Sequence, residues 1–293
     1  MVIIQRRYQA LTDYMKVFTF LEETYNLETL NSYLPPHYWE YAQHHAKFNY
    51  ASTHRIGLWE DGGKLVGLSM YEMELGTAQL HAKDDYKYLL PELLAWAEKE
   101  ISVEKNGNRT LKVQVTETED DKKLLLRDSG YEFSKKHDIT IFRYENPFIE
   151  RKLPEGFKII DGHDVDWLKL KYCFFRGFNH GDTPPNDETD PIFKTHNAPH
   201  SDPSLMTIIV APNGEYACAL DMWVDYRNKY AYLEPLATVP KYRRMGLAAI
   251  ALTEAMKKTL PFGAKYCFGG GMQFYYDIGF EKVCDWEWWQ KEW

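Results

Sequence analysis

Two periodicities alternate along the second half of this 293-residue chain. "DWLKLKYCFFRGF" carries apolar residues at helical spacing. "SLMTIIVA" and "YACALDMWV" are strand-like runs on either side of Asn213-Gly214, which predicts a hairpin. A further strand is expected over "KYAYLEPLATV". Ala248, Leu252, Met256 and Leu260 then recur every four residues and predict one face of a helix starting at Gly246. Lys257 and Lys258 fall in its last turn, where cations suit the helix dipole, and "PFG" ends it. "AKYCFGG" reads as a strand, "MQFYYDIG" as a short helix and "EKVCDWEWW" as a terminal strand, in which Trp286 and Trp288 are expected to be core.

The first half repeats this plan. "WEDGGKLVGLSMYE" (59–72) matches "APNGEYACALDMWV" (211–224), each a glycine turn followed by a strand. "LHAKDDYKYLLPELL" (80–94) lies over "LATVPKYRRMGLAAI" (236–250), and "LLLRDSGYEF" (124–133) over "QFYYDIGFEK" (273–282). The matched segments keep their order, which argues for two copies of one fold. Each copy predicts an α/β (α+β) domain, a mixed and mostly antiparallel sheet flanked by helices. Pro147 and Pro154 interrupt both periodicities in the connecting stretch, so the domains are expected at 1–146 and 147–293.

Composition narrows the function classes. A net charge of -8, shared by both halves, lacks the cationic surface that exchanges for phosphate counterions on nucleic acid, so no nucleic-acid partner is expected. An acidic surface favours cationic partners such as amines. The amino terminus carries no leader-like apolar region, and no apolar run reaches the length of about 18 residues that spans a bilayer. A cytoplasmic protein without a membrane partner is therefore expected. Cys173, Cys218, Cys267 and Cys284 show no metal-finger spacing and read as buried thiols.

One segment carries chemistry. "YRRMGLAAIALTEAM" (242–256) places two arginines and a glycine before a helix whose first N–H groups lack intrahelical partners. Such an end attracts anions, and Gly246 lets the backbone approach a phosphate closely. The prolines at 235 and 240 interrupt sheet pairing just upstream. His180, His196 and His200 lie in a long polar loop, "NHGDTPPNDETDPIFKTHNAPHSDP" (179–203), which reads as a lid or surface loop. The prolines around His196 and His200 argue against helical metal spacing, so no metal is expected.

With "FYYDIGF" (274–280) following the next strand, the second half resembles the GNAT superfamily of acyl-CoA-dependent N-acyltransferases, most closely over its last 90 or so residues. The resemblance implies that Arg243, Arg244, Met245, Gly246, Leu247 and Ala248 wrap the pyrophosphate of coenzyme A. It implies that Leu236, Ala237, Thr238 and Val239 bond the pantetheine arm. It also makes Tyr275 the acid that protonates the leaving thiolate, with Glu234 as candidate base. The first copy has lost these signatures: Leu90 and Pro91 stand where the loop would need Gly246 and an amide, and Leu126 stands in place of Tyr275. That copy is expected to be structural, shaping the acceptor pocket or standing in for a second subunit.

The function expected is acetyl transfer from acetyl-CoA to a primary amine, small-molecule or protein, by direct attack, in a monomer or weak homodimer. Asp221 and Asp225 alternate with Trp223 on one strand; this suits either an ammonium site or a half-exposed strand. A sensor that binds acyl-CoA without chemistry is the alternative, and a transferase using an aminoacyl-tRNA donor is disfavoured by the acidic balance and the intact loop.

Overall fold

The computed structural model describes residues 2–45, 47–184 and 195–293. Residues 185–194, part of the polar loop singled out above, lie outside them. By compactness the chain divides inside two strands rather than at the prolines, into one unit of residues 1–139 and 283–293 and a second of residues 140–282.

The first unit begins with β1 (Ile3–Arg7) and α1 (Ala10–Thr24), followed by α2 (Pro36–His44). The meander β2 (Gly57–Asp61), β3 (Lys64–Met70) and β4 (Thr77–Ala82) leads to α3 (Leu90–Trp96). β5 (Val103–Lys105), β6 (Asn108–Thr116), α4 (Asp120–Asp128) and β7 (Glu132–Arg143) follow. β1, β2, β3 and β4 pair antiparallel in sequence, and β4 pairs parallel with β6. The last strand of the chain, β13 (Glu281–Glu292), runs antiparallel to β6 from Trp286 to Glu292 and completes this sheet. Trp59, Leu68, Leu93, Val113 and Val115 are buried in its core.

The second unit repeats the order. β8 (Lys158–Ile160) and α5 (Trp167–Gly177) precede a hairpin of β9 (Thr207–Val210) and β10 (Tyr216–Asp225), then β11 (Tyr230–Thr238). α6 (Leu247–Thr259), β12 (Tyr266–Gly269) and α7 (Gln273–Asp277) follow. The hairpin turns at Asn213-Gly214 as the sequence predicts, with Gly214 in the left-handed region that its turn requires. Here residues 140–143 of β7 pair antiparallel with β12. In each unit a strand from the far side of the chain takes the place beside the parallel pair.

α6 is buried more completely than its four-residue stripe predicts. Leu252 and Met256 are in the core as expected, but Ala249, Ala251, Thr253 and Ala255 are buried too, and Leu260 is 45% exposed. The segment carrying Phe148, Ile149 and Leu153 packs over this core, and Thr253 Oγ1 donates to the Ile149 carbonyl. A helix covered on both sides keeps small residues outside and apolar residues inside, so no single stripe describes it. All four cysteines are buried free thiols, and no described helix is long and apolar enough to cross a membrane.

Candidate active site

The site begins where β11 loses one neighbour. β11 pairs with β12 only from Tyr230 to Tyr232, but its ladder with β10 continues to Thr238. Among the described strands, residues 233–238 keep β10 as partner, and their other edge extends past the end of the β12 ladder. The β10 ladder slips at the same place: Leu220 faces Leu236 while Met222 faces Leu233, so Asp221 alone opposes Glu234 and Pro235. Trp223 Nε1 donates to the Glu234 carbonyl at 2.9 Å and fixes the backbone beside this bulge.

Beyond Val239 the chain makes a tight turn over Pro240–Tyr242 and enters the arginine loop. Arg244 (φ 66°) and Gly246 (φ 78°) both lie in the left-handed region. Such alternation turns successive backbone N–H groups toward one concave face. Gly246 is also the N-cap of α6, whose first internal bond runs from Ile250 N–H to the Gly246 carbonyl. The amides of Leu247, Ala248 and Ala249 precede that bond and join the concavity. Leu247 is buried and anchors the helix start, Ala248 is half-buried, and Arg244 and Met245 are exposed at the rim.

Arg243 has a different place from the one the motif implies. Its Nε donates to the Thr238 carbonyl at 3.1 Å, and its Nη2 donates to the Gly177 carbonyl at 2.8 Å and to Asn179 Oδ1 at 2.9 Å. It braces the end of α5 against β11 and shapes the loop from behind. A cation that the sequence reading passed over takes the front: a Cβ on Gly246 would stand 3.5 Å from Arg151 Cδ and 3.7 Å from its Nη1. Arg151 arrives on the segment that covers α6, a placement no local pattern announces.

Tyr275, on α7, is 7% exposed. Its ring lies so close to Gly270 that a Cβ there would come within 2.8 Å of it, and Phe274 and Phe280 flank it edge-on. Burial raises its pKa well above the ordinary tyrosine range, the charge of Glu234 adds to this, and the Gly270 amide acts weakly the other way. The phenol therefore keeps its proton at every working pH and shares one electrostatic environment with Glu234, which is half-buried at the bulge.

β10 is buried along its whole length, which corrects the half-exposed reading of Asp221 and Asp225. Asp225 caps a turn, accepting from the backbone of Arg227 and Asn228 and from the Asn228 amide. Asp221 is 2% exposed, with Oδ1 accepting from Met222 N–H at 2.9 Å and Oδ2 lying 3.5 Å from His196 Nδ1. His196, which the sequence suggested only as part of a loop, thus faces a buried carboxylate.

In the first unit the matching turn is built otherwise. Residues 84–89 form a 3-10 helix running into α3, the Leu90 N–H is bonded to the Lys87 carbonyl, and Leu89 and Leu90 are buried. Neither Leu89 nor Leu90 has a positive φ (-78° and -51°), so no amide concavity opens there, and Leu126 is a core residue.

Comparison with known proteins fits this geometry. Residues 167–269 match the model of the acetyltransferase (GNAT) family. No curated protein matches the chain. Among solved structures, a GCN5-related N-acetyltransferase from Sphaerobacter thermophilus superposes with a TM-score of 0.61 at 12% identity, covering 99% of this chain and 95% of that one. A tandem GNAT protein from the clavulanic acid biosynthesis pathway gives 0.60 at 12% identity, covering 99% and 98%. A GNAT-family acetyltransferase from Colwellia psychrerythraea gives 0.61 at 12% identity, covering 98% and 99%. The fold of the whole chain is that of tandem GNAT proteins, and residues 167–269 are the part that matches the acetyltransferase (GNAT) family model.

Proposed function

We propose that the second unit transfers an acetyl group from acetyl-CoA to a primary amine. The observation that carries this reading is the combination of two left-handed residues, Arg244 and Gly246, at the start of α6 with the edge of β11 that extends past the β12 ladder. One supplies an amide cradle for a pyrophosphate and the other a ladder for an amide-bearing arm, in the order in which coenzyme A presents those groups. Leu236, Ala237, Thr238 and Val239 hold the pantetheine, and the loop from Arg243 to Ala248 holds the pyrophosphate, with Arg243 acting as a brace.

The amine nitrogen attacks the thioester carbonyl, forming a C–N bond and a tetrahedral oxyanion that amides at the β11 edge stabilise. Collapse breaks the C–S bond, and the Tyr275 hydroxyl gives its proton to the departing sulfur. Glu234, beside the bulge, takes a proton from the nitrogen. The first unit serves as a structural domain.

A thermal-shift titration with acetyl-CoA tests the reading, run beside Gly246→Asp, whose carboxylate repels the pyrophosphate. Ligand at about 100 times its dissociation constant stabilises by roughly 2.7 kcal/mol. A shift that the variant loses supports the cradle; no shift in either protein removes the transferase reading. Release of free thiol on adding an amine panel separates an enzyme from a sensor.

A further inference from the structure

Asp221 is buried, and the largely covered side chain of His196 lies against it. A carboxylate enclosed in a strand is strongly disfavoured unless something compensates it. Here one backbone amide donates to Oδ1, and the imidazole Nδ1 of His196 lies 3.5 Å from Oδ2. The ring of Trp167, the first residue of α5, packs against the His196 ring with centroids 4.6 Å apart. With Nδ1 turned to Asp221, Nε2 points the opposite way. Asp221 stands at the bulge opposite Glu234 and Pro235, where β11 parts from β12.

We propose that Asp221 and His196 act as one proton acceptor for the ammonium form of the acceptor, with His196 Nε2 receiving the proton and Asp221 storing it. The proposal rests on the transferase reading and assigns a step that reading leaves open. A simple amine reaches a neutral solution protonated, and only its free base attacks. An N–H bond of the ammonium breaks, its electron pair stays on nitrogen, and the proton bonds to Nε2. The Nδ1–H bond breaks in turn and its proton joins Asp221 Oδ2. The ammonium becomes neutral, and the pair goes from one negative charge to none. Glu234 is left for the second proton, released after the C–N bond has formed.

The surroundings suit this direction of transfer. Burial pushes the Asp221 carboxyl up to about 7 and the His196 imidazole down to about 4. The enclosed carboxylate therefore holds a proton more tightly than the imidazole through which it arrives. Asp202, at the N-cap of the turn Pro203–Leu205, raises Asp221 further, and Lys258 of α6 opposes it. The Lys258 ammonium is itself bonded to the Met206 carbonyl.

Nitrogen-15 NMR of the full chain, labelled at histidine, reads the pair without any ligand. The expected result is a change of tautomer near pH 7, from Nδ1–H above it to Nε2–H below it, with no imidazolium until the solution is far more acidic. Asp221→Asn should abolish the change. Ordinary imidazolium formation at about pH 6.5, or a tautomer indifferent to Asp221→Asn, overturns the proposal.

Acetyl transfer to butylamine and to hydroxylamine, which is largely unprotonated at neutral pH, reads its use. His196→Gln and Asp221→Asn should slow butylamine turnover on the order of 100-fold near pH 7, recover much of it as the solution approaches the amine's own pKa, and leave hydroxylamine turnover nearly unchanged. Equal losses with both amines, or a wild type that binds acetyl-CoA but acetylates neither, would remove the pair from the acceptor side. Failure of acetyl-CoA to bind at all would instead sink the transferase reading.

Discussion

Arg151 lies against the left-handed Gly246 with its Nη1 3.7 Å from the position a Cβ would take, so a guanidinium stands beside the start of α6. A charge there adds to amides and a helix dipole already aimed at an anion. Arg151→Ala should weaken acetyl-CoA binding by roughly 3- to 10-fold, the range of about 1 kcal/mol that an exposed charge-assisted contact contributes. The loss should shrink as salt is raised, because the contact is exposed. Isothermal titration at low and high salt checks this; unchanged affinity at low salt would show that Arg151 merely rests on the loop.

Arg243 acts on the same loop from the other side. Its three acceptors are Thr238 and Gly177 carbonyls and the Asn179 side chain. Arg243→Ala should lower stability by about 1 kcal/mol and weaken acetyl-CoA binding with little change in its salt dependence, because a brace is lost rather than a phosphate contact. Arg243→Lys should not restore binding, since an ammonium cannot reproduce a planar fork with two donating nitrogens. A steeper salt dependence in the wild type than in Arg243→Ala would count against the brace.

These two arginines show where sequence stops being informative. The loop, the strand before it and the helix after it were legible because their signals are local: a proline interrupts a ladder, a glycine permits a left-handed turn, and spacing marks a helix. Arg243 was legible as a cation but not as a brace, because its acceptors Gly177 and Asn179 lie far upstream. Arg151 carried no signal, since what brings it to Gly246 is the packing of its segment over α6. Asp221 misled because alternation with Trp223 describes a half-exposed strand equally well, and only the cover on both faces of β10 makes it buried. Where β7 and β13 pair was likewise invisible: their repeat-derived similarity predicts strands, not partners.

Tyr275→Phe removes only a hydroxyl from a ring held by Phe274, Phe280 and Gly270. Packing is conserved, so the melting temperature and acetyl-CoA affinity should stay close to wild type. Turnover should fall on the order of 100-fold, the range for loss of a general acid. A fall in affinity matching the fall in turnover would make Tyr275 a wall of the site and not its acid.

Glu215 ties the turn before the loop to the β9–β10 hairpin. It accepts from Tyr242 Oη at 2.7 Å and from Asn213, and pairs with Lys241. The Lys241 bond first, then those of Tyr242 and Asn213, hold its carboxyl down at about 2. A carboxyl depressed in the folded state contributes stability above its unfolded value near 4.5, and loses it as pH falls toward 2. The group is partly open to solvent, so the contribution is no more than about 1 kcal/mol. Glu215→Gln should therefore melt lower than wild type at neutral pH, and the two curves should converge on acidification. Parallel curves down to pH 2 would show that the ionised carboxylate contributes no net stability.

The Asp221–His196 pair makes a sharper prediction about pH, because its two shifts oppose each other. In the folded chain Asp221 titrates at about 7 rather than 3.8, and His196 at about 4 rather than 6.5. A raised carboxyl stabilises below its unfolded value and loses that contribution as pH rises through the folded one. A lowered imidazole stabilises above its unfolded value and loses that contribution as pH falls through the folded one. Between about pH 4 and 6.5 the folded pair holds its proton on Asp221 and the unfolded pair holds it on His196. The proton count is the same in both states, so the pair adds no slope to stability there. Asp221→Asn breaks the balance by leaving a buried imidazole that must stay neutral while its unfolded counterpart charges. Relative to wild type, the variant should lose up to about 1.4 kcal/mol for each pH unit below 6.5, while being as stable or more so at pH 7, where an enclosed carboxylate has become an amide. Denaturant unfolding of both proteins across this range decides the matter, and a difference in stability that does not change with pH would mean that Asp221 does not hold the proton in the folded chain.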